Sequence, residues 1–128
     1  MEEGMGENVE ENDTAWLDSI REPANPLPLL QAWYLKQCDG DWEHSSGIRI
    51  ETLDNPGWSV RITVTDTRLE GKPFARIEQD NSDSDWMHCW LEESTWRGAG
   101  DPKKLNFILL EFLDWAAREA PMWPTLER

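Results

Sequence analysis

From Ile48 to Thr65 apolar and polar side chains alternate with a period of two, the spacing of a half-buried β-strand. Ile48, Ile50 and Thr52 point one way while Arg49, Glu51 and Leu53 point the other. The turn formers Asp54, Asn55, Pro56 and Gly57 follow, and then Trp58, Val60, Ile62 and Val64 alternate with Ser59, Arg61, Thr63 and Thr65. Two antiparallel strands are predicted. A looser apolar stretch at 73–77 and a clear one at 86–91 flank a polar loop from Gln79 to Asp85, which predicts a second hairpin, and Thr95 to Arg97 adds a short edge strand.

Helical spacing brackets this strand region. Leu29, Leu30, Trp33 and Tyr34 mark a helix over 27–37, with Gly40 placed to stop it. After Gly98 and Gly100, Asp101 is a capping carboxylate just before Pro102 at the first helical position. Leu105, Ile108, Leu109, Phe112, Trp115 and Ala116 then recur at three- and four-residue steps to about Glu119, forming one apolar stripe suited to cover a sheet. The fold class expected is α+β, an antiparallel sheet of four to five strands with two main helices packed on one face. The other face is then open. On the strand at 86–91, Met87, Cys89 and Leu91 share one side and Trp86, His88 and Trp90 the other, so both sides are worth covering.

A chain of 128 residues fits one domain. Residues 1–13 are rich in Glu, Gly and Asn with almost nothing to bury and read as a disordered acidic tail. Residues 14–26 read as a short helix capped by Thr14, with Trp16, Leu17 and Ile20 as its apolar side, and a linker. The body spans 27–120, and 121–128 form a C-terminal tail. Residues 1–22 hold eight acids against Arg21 alone, which accounts for half of the net charge of −14. The body is acidic as well, which disfavours nucleic acid and anionic membrane and favours a basic protein partner. Cys38 and Cys89 give no disulfide framework, and no apolar stretch suits a signal peptide or membrane span, so the expected location is cytoplasmic.

The densest polar cluster is Cys38, Asp39, Asp41, Trp42, Glu43 and His44. It lacks the oxygen ligands of a calcium loop and the paired Cys or His donors of a zinc site, so no metal and no cofactor is expected. Its carboxylates raise rather than lower a thiol pKa, which disfavours Cys38 as a nucleophile. Two readings remain: loop construction, with Asp39 and Asp41 holding backbone amides, or contact with a partner. Nine tryptophans exceed what one small core needs. Trp86, His88 and Trp90, near Asp83, Asp85, Glu92 and Glu93, suit an anchor-and-rim contact with a basic protein, or packing beneath the N-terminal segment.

The run Trp33, Tyr34, Cys38, Asp39, Asp41, Trp42, Glu43, His44, followed by Glu51, Asp54, Asn55, Pro56, Gly57 and Trp58, resembles the Imm53 family of immunity proteins. Leu69 to Phe74, Asp85 with Trp86 and Cys89, and Gly98 to Leu105 extend the resemblance over about 27–118. It implies a bacterial antidote encoded beside a polymorphic toxin, which binds the toxin domain and blocks it by occlusion without catalysis. The candidate partner contacts are Asp39, Asp41, Glu43, His44, Trp86, His88 and Trp90. The alternatives are a small metal-dependent or carboxylate-based hydrolase built on Asp39, Asp41, Glu43 and His44, and an acidic protein–protein adaptor working through its tail.

Overall fold

A computed structural model describes residues 25–121; the acidic tail, the short helix expected after Thr14 and residues 122–128 lie outside the described residues. Helix α1 (Leu27–Gln37) and the single turn α2 (Trp42–Ser45) precede strands β1 (Ile48–Leu53), β2 (Gly57–Thr63), β3 (Ile77–Ser82), β4 (Asp85–Glu92) and β5 (Thr95–Gly100), and α3 (Leu105–Glu119) closes the domain. The strands form one antiparallel sheet in the order β1-β2-β5-β4-β3. The α+β class and the open antiparallel sheet follow the alternation read from the sequence.

The covered face carries the core. Val60 and Ile62 of β2, Trp96 of β5 and Met87 and Cys89 of β4 are buried beneath Ile108, Leu109, Phe112 and Trp115 of α3. Helix α1 lies beside α3 and adds Leu30 and Trp33, with the Trp33 ring edge-on to Phe112 at 4.9 Å between centroids. Leu29 and Tyr34, which share the helical spacing, are exposed. Helix α1 therefore buries a narrower stripe than its spacing predicts, because it meets one neighbouring helix and the edge of the core.

Three local expectations are corrected. Residues 73–76 are not strand: Pro73 accepts a hydrogen bond from Trp115 Nε1 at 2.8 Å and Phe74 packs edge-on against Trp96 and Trp115, so this stretch caps the core. The strand instead begins at Ile77 and runs on through the polar stretch to Ser82, pairing with β4 as an exposed edge; its hydrogen bonds are backbone ones and need no apolar side chains. Residues 95–97 do not form an edge either. They begin β5, the middle strand, which continues through Gly98 and Gly100. A Cβ on Gly98 would collide with Ile108 Cγ2, and one on Gly100 would meet Lys104 Cβ at 2.8 Å, so the glycines mark where α3 crosses the sheet at close range.

The final helix starts at Leu105, one turn later than Asp101 and Pro102 imply. Asp101 is fully buried, and its Oδ1 accepts from the Lys103 amide at 2.8 Å while Oδ2 accepts from the Trp86 amide at 2.8 Å and from Lys104 Nζ at 2.7 Å. It caps the turn before α3 and ties the start of β4 to that turn. Burial opposes its charge, yet the Lys104 ammonium and the two amides outweigh burial and hold its pKa at about 2.

Candidate partner-binding face

Strand pairing places the alternate side chains on the second sheet face, which no helix covers among the described residues. One row across it reads Glu51, Ser59, Ala99, His88 and Glu78. The adjacent row reads Arg49, Arg61, Arg97 and Trp90. Trp86 stands two residues before His88 and pairs with Asp80 of β3. The sequence expectation that Trp86, His88 and Trp90 share one strand side therefore holds, and that side faces away from the helices.

These three side chains are half-buried, and each is held by its neighbours. The rings of Trp86 and His88 meet edge-on at 5.7 Å, and His88 Nε2 lies 2.8 Å from Asp80 Oδ1. Arg76 places its guanidinium 5.2 Å from the Trp90 ring centre, and Trp90 Nε1 donates to Glu92 Oε1 at 3.3 Å. Asp101 pins the backbone under Trp86. The rings are thus set in place ahead of any partner, which lowers the ordering cost of a contact.

A groove lies at each end of the face. At the end holding the β1–β2 and β3–β4 turns, Asn55, Asp80, Asn81, Ser82, Asp83 and Trp86 enclose about 590 Å³, an acidic groove with an aromatic wall. At the opposite end, Arg49, Arg61 and Arg97, with His44, Ser46 and Thr95 among their neighbours, line about 570 Å³. The expected acidic and aromatic surface therefore describes only one end; the arginine row at the other was not singled out from the sequence. Each arginine sits at a polar position of its strand, but the row from Arg61 to Arg97 exists only because β5 pairs beside β2, whereas the sequence pattern predicts 95–97 as an edge.

The loop acids divide differently. Asp39 Oδ1 accepts from the amides of Asp41 at 2.9 Å and Trp42 at 3.0 Å, and Glu43 accepts from those of Asp39 at 3.0 Å and Gly40 at 2.9 Å. The Trp42 and Asp41 amides hold Asp39 below the usual carboxylate range, and amides, its own first, do the same for Glu43. These two carboxylates close the loop that seats Trp42, a buried ring edge-on to Trp33 at 5.9 Å. Asp41 is exposed, and His44 is exposed at the rim of the arginine groove. The seven candidate residues thus fall into three places: a loop, the groove rim, and the aromatic centre of the open face.

Cys38 Sγ donates to the Tyr34 carbonyl at 3.3 Å, and burial, with Glu111 nearby, pushes the Cys89 thiol up to about 12. Among the described residues no three His, Cys, Asp or Glu side chains converge in a way that could hold a metal ion. No helix among them is long and apolar enough to cross a membrane.

The open sheet face thus carries ordered aromatic side chains between charged grooves at its two ends. The sequence matches the immunity protein 53 family over residues 27–117, and the chain belongs to that family. No curated protein and no solved structure matches it. The matched segment runs from α1 almost to the end of α3 and so includes the whole sheet.

Proposed function

We propose that the chain binds a cognate toxin domain and neutralises it by occlusion, using the open sheet face as the contact surface. One observation carries this reading: the preset cluster of Trp86, His88 and Trp90 lies on the face that α1 and α3 leave uncovered. Aromatic side chains already ordered by neighbours make strong interface anchors, because they exclude water at little entropic cost. The acidic groove at Asp80 and Asp83 supplies a rim that attracts a basic patch on the toxin, and Asp41 and His44 extend the contact past β1. Asp39 and Glu43 act one step back, by shaping the loop that carries Asp41 and His44. The chain works by binding, in the cytoplasm of the cell that makes the toxin.

Co-expression tests the proposal. Cells making the toxin domain encoded beside this chain survive when the chain is present, and die when it carries Trp86→Ala and Trp90→Ala despite undiminished soluble protein. Survival with the doubly substituted chain would remove the open face from the mechanism.

Among the described residues a second apolar area lies on α1, where Leu27, Tyr34 and Leu35 are exposed. It favours a contact on the helix side, and the two surfaces are separable by substitution.

A further inference from the structure

The arginine groove is unusual for the molecule that carries it. The whole chain has a net charge of −14, yet the groove is lined by three arginines and a histidine, and no aspartate or glutamate among the described residues lines it. Four hydroxyl side chains, Ser45, Ser46, Thr63 and Thr95, complete the polar lining. Among the described residues, the carboxylates close to the guanidinium groups stand at its margins. Glu51 is 3.5 Å from both Arg49 and Arg61, shared between two cations, and Glu92 is 3.2 Å from Arg97 Nε without hydrogen-bond alignment. Side-chain exposure falls from 68% at Arg49 through 38% at Arg61 to 32% at Arg97, so the row runs from the rim into the middle of the sheet.

A row of cations with shared, off-line counter-ions has donor capacity left over. A guanidinium carries five N–H groups in a planar fork that matches a carboxylate in two-point fashion. Hydroxyl groups beside it add neutral donors to the same anion. The margins decide what kind of anion fits. Glu51 and Glu92 flank the row on the open face, and the described residues carry more acids than bases, so a phosphate backbone continuing beyond the groove would run over like charge. A compact anion of one or two charges on a protein surface does not.

We infer that this end of the face is a carboxylate-binding groove, in which Arg61 and Arg97, with Arg49 at the entrance, receive an acidic segment of the same toxin domain. The inference rests on the proposed use of the open face and deepens it: the contact is polarised, with acids and Trp86 at one end and arginines at the other. It replaces a partner that is simply basic by one carrying a basic patch and an acidic segment a sheet length apart. Such a pattern fixes orientation and rejects partners docked the wrong way round, since reversal sets like charges against each other at both ends.

The test measures the affinity of the full-length chain for the toxin domain encoded beside it, by calorimetry at low and high salt. Arg49→Gln with Arg61→Gln weakens binding by about 100-fold at low salt and by less at high salt. Thermal melting of the same protein shows no loss of fold; Arg61→Gln alone, retaining Arg49, gives an intermediate affinity. Undiminished affinity in the double variant, with the wild-type chain binding tightly, overturns the inference and leaves the proposed function standing. A wild-type chain that does not bind the toxin domain removes both. A short single-stranded RNA that binds the wild-type chain and competes with the toxin assigns the groove to phosphate and overturns the inference. A full-length chain with Glu2, Glu3, Glu7, Glu10 and Glu11 changed to Gln keeps the same arginine dependence. If that dependence vanishes, the groove belongs to the chain's own acidic tail and the inference fails.

Discussion

Arg61 and Arg97 stand directly opposite one another on the interior strands β2 and β5, in a row that continues to Arg49 on β1. Opposed like charges weaken a strand pair, and the flanking Glu51 and Glu92 offset that only partly, being surface ion pairs. On the proposed use of the open face, the placement serves recognition at some expense to stability. Arg61→Thr, which removes the opposition and suits a strand, therefore leaves the unfolding free energy within about 0.5 kcal/mol of wild type or raises it, while weakening toxin binding. Urea denaturation reads the first and calorimetry the second. A loss of stability well beyond that range would make Arg61 a structural residue.

Asp101 links the fold to the face, since its buried carboxylate holds the Trp86 amide and the Lys104 ammonium. Its pKa of about 2 lies below the ordinary 3.8, so the charged form is favoured by folding. A lowered carboxylate pKa contributes stability that is fully present above about pH 4 and is lost as pH falls through about 2. Asp101→Asn costs about 2 kcal/mol near neutral pH, and the gap between variant and wild type closes on acidification across that window. Urea denaturation at neutral pH and at the acid end of the window checks both. A gap independent of pH would mean that the Asp101 charge contributes nothing.

Gly98 faces Ile108 across the closest approach of sheet and helix. Gly98→Ala destabilises by about 1–3 kcal/mol, the usual cost of overpacking a core. Adding Ile108→Leu removes the Cγ2 methyl in the way and recovers part of that loss. Thermal denaturation of the single and double variants measures the coupling, and simple additivity would show that the two side chains do not compete for space.

The elements buried on one side were legible because burial imprints a period. Val60 and Ile62 mark β2, and Ile108, Leu109, Phe112 and Trp115 mark α3, whatever the rest of the chain does. Strand β3 was misplaced because an edge strand exposed on almost every residue leaves no period to read. Strand β5 reads as a short edge in the sequence because Gly98 and Gly100, which make room for α3, look like breakers there. The site split the same way. Trp86, His88 and Trp90 lie on one strand, so alternation brought them together. Arg49, Arg61 and Arg97 come from three strands, and only the order β1-β2-β5 aligns them. Asp39 and Glu43 were conspicuous by composition, yet their carboxylates are engaged by loop amides.

The central claim is that the open sheet face, not the helix side, meets the toxin. It is tested most directly by titrating purified chain against the toxin domain with substitutions on each side. Trp86→Ala with Trp90→Ala weakens binding by about 100-fold or more, as expected for aromatic anchors at the centre of an interface. Leu35→Ser with Phe107→Ser, at exposed positions of α1 and α3, binds as wild type does. The reverse pattern, full affinity without the two tryptophans and loss with the helix substitutions, would contradict the account.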